Sequence, residues 1–155
     1  MRGFSPRPSK VRLDLKLVQV EWGPDDAEAA VLRKFCNEVR SRRAFDMSRG
    51  TALEEPVWFL ASVTEFRGRL RELVNELPPR ADQSRLALLT ALEWAGELMD
   101  AWHLALRDIA PNTWEFRQLD MHRMMEVMET VWPMVETVRK LLDGLVDHIE
   151  QQLAK

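Results

Sequence analysis

Residues 56–77, PVWFLASVTEFRGRLRELVNEL, decide the fold class of this chain. Their large apolar side chains recur at spacings of 4, 3, 4, 3 and 4 residues. These side chains are Phe59, Val63, Phe66, Leu70, Leu73 and Leu77. Residues with this spacing lie on one face of an α-helix and are typical of helices that pack side by side in a bundle. Pro78 and Pro79 follow and end the helix, because proline has no backbone N–H to donate. The stretch therefore predicts one amphipathic bundle helix.

The same periodicity occurs in three further segments, which are residues 25–42, 82–106 and 113–153. Asp25 with Glu28, and Asp82, stand where side chains that cap helix N-termini are expected. The apolar row of the third helix is expected at Leu88, Leu92, Ala95, Met99, Trp102 and Leu106. In the last segment the apolar phase continues through Pro133, which indicates one kinked helix rather than two helices with a chain reversal. The predicted fold class is mainly α, a four-helix bundle with a kinked long C-terminal helix.

Residues 11–22 precede the helices and alternate between apolar and polar side chains. The alternation predicts a short N-terminal β-strand or extended arm, preceded by a flexible arm at residues 1–10. The rest of the chain offers no second strand, so the backbone of this segment would face water or pair with another molecule. We expect pairing between two copies in a homodimer. The predicted interface side chains of the segment are Leu13, Leu15, Leu17 and Val20.

Length and composition indicate one helical domain. The chain has 155 residues, of which 46% are hydrophobic and 30% are charged. We therefore expect residues 11–155 to form a single helical-bundle domain. The formal net charge of −3 disfavours an overall electrostatic attraction to nucleic acid or membranes. No apolar run is long enough to span a membrane, and no signal-peptide core follows the basic N-terminus, so a cytoplasmic protein is expected.

No residue pattern indicates a metal or a cofactor. Cys36 is the only cysteine, and its place in an apolar helical column predicts a buried, unreactive thiol. Asp100 and His103 have the spacing of half a di-metal carboxylate site, but the second copy that such a site needs is missing. The sequence therefore predicts no metal site and no cofactor.

Arg117 and His122 carry the alternative hypothesis for function. They have the Arg-x-x-x-x-His spacing that HEPN-type RNases carry on a helical bundle. A guanidinium beside an imidazole can serve phosphodiester cleavage. Such a spacing arises readily by chance in an arginine-rich chain. The arginines of the first half could also bind a nucleic-acid backbone, but glutamates lie among them, which favours a solvated helix face. An RNA-cleaving or RNA-binding helical bundle is therefore the second hypothesis.

Four short motifs mark the first half of the chain. They are Trp22-Gly23-Pro24, Arg42-Arg43, Glu55-Pro56, and Ser62-Val63 with Phe66-Arg67. In this order they resemble a family of small uncharacterised bacterial proteins with Trp-x-Pro, Arg-Arg, Glu-x-Pro and Ser-Val-x-x-Ile-Arg. The resemblance covers about residues 13–130 and implies no activity. It singles out Arg43, Glu55 and Arg67, whose opposite charges predict a polar cluster joining the first two helices and their loop.

A methionine-rich stripe lies at the start of the last helix. Methionine fills irregular cores, and it also forms adaptable surfaces that bind partners. Met124 and Met128 are therefore added to the predicted interface. The leading hypothesis is a non-enzymatic helical-bundle interaction protein that self-associates as a homodimer or binds a protein partner.

Overall fold

The computed structural model describes residues 22–41, 56–110, 112 and 121–155. These residues form four α-helices and no strand. The helices are α1 (Asp26–Ser41), α2 (Pro56–Glu76), α3 (Asp82–Ile109) and α4 (Met121–Leu153). They pack against one another around a shared core of apolar side chains. The mainly α four-helix bundle expected from the sequence is therefore confirmed, whereas the N-terminal arm or strand at residues 1–21 lies outside the described residues.

Helix α2 buries the row of side chains that its periodicity predicts. Phe59, Val63, Phe66, Leu70, Leu73 and Leu77 are all buried in the core. A turn at Pro78 and Pro79 then reverses the chain, and α3 returns antiparallel to α2. Two contacts fix their relative height: Thr64 Oγ1 lies 4.0 Å from Met99 Sδ, and the guanidinium of Arg67 lies over Gly96.

Helix α3 occupies the centre of the bundle, where it packs against both α2 and α4. Its fully buried side chains include a column of alanines, and these are Ala87, Ala91, Ala95, Ala101 and Ala105. Of the apolar row predicted for α3, Leu92, Met99 and Leu106 are only partly buried. The predicted row therefore lies at one edge of the buried face of α3, because the small alanines at the centre of that face mark it poorly in the sequence.

The short helix α1 packs against the second half of α2, the first turn of α3 and the last turns of α4. Its inner face buries Val31, Leu32, Phe35, Cys36 and Val39. Ion pairs hold its outer face to its neighbours: Lys34 Nζ lies 2.7 Å from Glu76 Oε1, and Arg40 pairs with Glu150 through both guanidinium nitrogens. Because these pairs are exposed to solvent, they add little to stability, and the apolar face carries most of the attachment.

Helix α4 continues without a break through Pro133, as its apolar phase predicts. Pro133 is exposed, so the carbonyl that loses its backbone hydrogen bond lies on the solvent side. Two threonine hydroxyls bond back to carbonyls around the proline, from Thr137 to Pro133 at 2.9 Å and from Thr130 to Glu126 at 2.9 Å. Proline and such back-bonding are both features that bend helices.

The predicted helix caps have different outcomes. The backbone N–H of Glu28 donates to Asp25 Oδ1 at 2.8 Å, so the cap of α1 is confirmed. The expected cap at Asp82 is wrong, because Ala81 occupies the N-cap position of α3 and makes no side-chain cap bond. Asp82 is the first helical residue instead, and its carboxylate lies 3.4 Å from the guanidinium of Arg85.

Leu70→Ala is expected to lower the free energy of unfolding by about 2–5 kcal/mol, because it leaves a cavity at a fully buried position in α2. Chemical denaturation followed by circular dichroism measures the change. Asn75→Ala, on an exposed position of the same helix, is the control and should stay within about 0.5 kcal/mol of wild type. Equal stability of both variants would show that the α2 row does not pack in the core.

Candidate functional site

Several predicted site residues lie outside the described residues, and their roles stay predictions. They are Leu13, Leu15, Leu17, Val20, Arg43, Glu55 and Arg117. Of the predicted polar cluster, only Arg67 lies in a described helix. Of the predicted RNase pair, only His122 does.

Arg67 lines a cleft of about 440 Å³ between α2 and α3. Its guanidinium lies over Gly96, where a Cβ would be 3.7 Å from Nη2, an ordinary van der Waals contact. The Nε atom of Arg67 is buried and has no hydrogen-bond partner. The cleft therefore holds a half-buried cation whose hydrogen-bonding capacity is not fully used.

The two walls of the cleft carry opposite charges. On the α2 side lie Arg67 and Arg71, and on the α3 side lie Glu93, Glu97 and Asp100. Glu97 is buried, whereas Arg71 and Glu93 are exposed at the rim. A cleft with one basic and one acidic wall suits a partner that is itself mixed in charge, because a partner of a single sign would be repelled by one wall.

Three large apolar side chains of α3 are exposed, Leu86 at 41%, Leu89 at 43% and Leu104 at 44%. Leu89 also lines the cleft. At 3.6 residues per turn these three positions fall on one side of the helix. Leu86 and Leu89 are one turn apart and form an apolar strip, whereas Leu104 is separate, about 22 Å further along the helix, with the exposed Glu93 and Asp100 between them on the same side. An apolar strip bordered by charged side chains is typical of protein interaction surfaces. The strip was missed in the sequence because leucine is common in α3, and only packing separates buried leucines from exposed ones.

Two consecutive hydrogen bonds between side chains connect the start of α1 to the start of α3. The indole Nε1 of Trp22 donates to Ser84 Oγ at 3.2 Å, and Ser84 Oγ donates to Glu28 Oε2 at 2.7 Å. The hydroxyl of Ser84 therefore accepts one hydrogen bond and donates another inside the protein, where its side chain is fully buried. No local pattern marks this chain of bonds, because Ser84 is 62 residues from Trp22 and 56 from Glu28.

Trp22 also contacts the end of α4, where its ring centroid lies 5.9 Å from that of His148. His148 and Gln152 are one helical turn apart and both are buried. The Nε2 atom of His148 and the Oε1 atom of Gln152 have no hydrogen-bond partner. Trp22 is thus held between α3 and α4.

The described part of the RNase hypothesis is an exposed contact between a histidine and a glutamate side chain. His122 is 82% exposed, and its Nε2 lies 3.4 Å from Glu126 Oε1 one turn later on α4. Because Arg117 lies outside the described residues, the Arg117–His122 site stays a prediction.

The two methionines predicted at the interface differ in burial. Met124 is half-buried and packs at the edge of the core. Met128 is fully buried inside the bundle, so its side chain presents no surface to a partner. The periodic spacing placed Met128 on the apolar face of α4, and this face turned out to be core.

No group of three or more His, Cys, Asp and Glu side chains is arranged to hold a metal ion in the described parts of the chain, residues 22–41, 56–110, 112 and 121–155. His103, which the di-metal spacing had drawn attention to, is exposed on α3. Within the same parts of the chain, no helix is both long enough and apolar enough to cross a membrane.

The thiol of Cys36 is buried, as its apolar column predicts. Burial raises the pKa of this thiol from its ordinary value to about 11, and the nearby carboxylate of Glu150 adds to the increase. The thiol is therefore protonated at neutral pH and is a poor nucleophile. The thiol ionises more readily in the unfolded chain, where its pKa is about 9. As the pH rises from about 9 through 11, ionisation therefore favours the unfolded chain and the free energy of unfolding falls.

Comparison with known proteins found no protein-family model, no curated protein and no solved structure that matches this chain. The resemblance to the small bacterial family therefore stays a prediction.

Ser84→Ala is expected to lower the free energy of unfolding by about 1–3 kcal/mol, because it leaves the Trp22 N–H and the Glu28 carboxylate without their partner. In a double-mutant cycle, Ser84→Ala and Trp22→Phe should be less than additive by at least about 0.5 kcal/mol. Ser41→Ala, at the exposed end of α1, is the control and should leave stability unchanged. Strict additivity would mean that the Trp22–Ser84 bond does not form.

Proposed function

We propose that this chain is a non-enzymatic helical-bundle protein that acts by binding, and that it self-associates as a homodimer. The observation that supports this function best is the exposed strip of Leu86 and Leu89 on the outer face of α3. Removing apolar surface from water is favourable by about 25 cal/mol for each Å². A partner that covers these side chains therefore gains this free energy on binding.

The cleft beside this strip adds specificity to the proposed contact. An apolar strip alone would bind many partners, whereas the charged walls of the cleft select the partner and its orientation. Hydrophobic residues at the centre with charged residues at the rim are the ordinary anatomy of a protein–protein interface.

The position of Trp22 supports a contribution from the N-terminal segment. Trp22 is bonded to Ser84 in the first turn of α3, and Leu89 follows Ser84 by five residues, about 7.5 Å along the helix. Trp22, which follows the predicted pairing segment 11–20 in the sequence, therefore lies at the same end of α3 as Leu86 and Leu89. We propose that this segment and the exposed leucines act together in the interface.

The test is the mass of the protein in solution. At tens of micromolar, light scattering of the full chain should give twice the 18.1 kDa mass of one chain. Deletion of residues 1–20 should weaken the dimer, since it removes Leu13, Leu15, Leu17 and Val20. Circular dichroism of the shortened chain controls for loss of helix.

A monomer for both the full chain and the shortened chain would contradict the proposed function. A dimer that is equally stable in both would retain self-association but remove the N-terminal segment from it.

A further inference from the structure

We infer that two copies of this chain dock through the α2–α3 cleft, about a two-fold axis that runs along the cleft. This inference rests on the proposed self-association, and it names the surface and the charge pairs that perform it. The second copy is the chosen occupant because the charges of the cleft complement the charges of the same cleft on another copy.

The antiparallel packing of α2 and α3 fixes the position of each charged residue along the cleft, which is called its height. Thr64 lies level with Met99, and Arg67 lies level with Gly96. Arg71 is one turn beyond Arg67 on α2, so it lies level with residues about one turn before Gly96 on α3. Glu93 is at this height, and both side chains are exposed at the rim.

A rotation of 180° about an axis parallel to the cleft produces the second copy. This rotation exchanges left and right but leaves each residue at the same position along the cleft. The basic α2 wall of one copy therefore faces the acidic α3 wall of the other. Arg71 of each copy meets Glu93 of the other, and symmetry produces this pair twice. Leu89 lines the same cleft one helical turn from Glu93, where the second copy can cover it.

Other occupants fit the cleft less well. A nucleic acid or another polyanion would meet the exposed carboxylates of Glu93 and Asp100. A uniformly basic partner would meet Arg67 and Arg71 on the opposite wall. Only a surface with both signs in matching positions avoids this repulsion, and a second copy has such a surface by construction.

Charge reversal tests the inference directly. Arg71→Glu and Glu93→Arg, each alone, place like charges opposite each other at both symmetric pairs of the homodimer. Each variant should raise the dissociation constant of the homodimer at least about tenfold, as measured by sedimentation velocity. Arg33→Glu on α1 and Asp108→Arg at the end of α3 are matched exposed controls and should leave the dimer unchanged.

Mixing the two variants gives the decisive result. In a mixed dimer, one copy supplies Glu at position 71 and Glu93, and the other supplies Arg71 and Arg at position 93. Both pairs are then attractive, so an equimolar mixture should form a heterodimer with an affinity close to that of the wild type. The chain that carries both reversals should also form a homodimer, because each pair between the copies again joins one acidic and one basic side chain.

The outcomes separate this inference from the proposed function. A wild-type dimer that neither reversal weakens, or variants that fail to associate when mixed, would overturn the inference while self-association stands. Recovery in the doubly reversed chain without recovery in the mixture would mean that Arg71 and Glu93 pair within one chain, which also overturns it. A wild-type monomer would instead contradict the proposed function itself.

Discussion

The structure depends on the close packing of α3 against two neighbours at once. Alanines at five fully buried positions of α3 allow α2 and α4 to approach it from two sides. Larger side chains of those neighbours, such as Leu70 on α2 and Val138 on α4, are fully buried in the same core. Because protein cores are packed as densely as organic crystals, the width of α3 sets the positions of the other helices.

This arrangement explains the location of the proposed interface. Two sides of α3 are covered by α2 and α4, and α1 and Trp22 cover its first turn through Ser84. Its remaining side carries Leu86, Leu89 and Leu104 beside the charged cleft. The stability of the bundle and the proposed binding surface thus come from opposite faces of the same helix, so a change to the exposed leucines leaves the core intact.

The sequence predicted the helices well because their periodicity is a local signal. The rows of α2 and α4 and the passage of α4 through Pro133 follow from spacing alone. The site was harder to predict, since it depends on contacts between distant residues. The Trp22–Ser84–Glu28 bonds and the opposed walls of the cleft join segments far apart in the chain. Met128 shows the same limit, because periodicity identifies an apolar face but not what covers it.

The measurement that tests the account most directly is the free energy of unfolding of Ala91→Leu. Ala91 is fully buried in α3, so a larger side chain there forces the helices apart and should cost about 1–3 kcal/mol of stability. Ala61→Leu, at an exposed position of α2, adds the same atoms without touching the core and should change stability little. If Ala91→Leu is as stable as the wild type or more so, α3 does not set the spacing of the bundle, and the account is wrong.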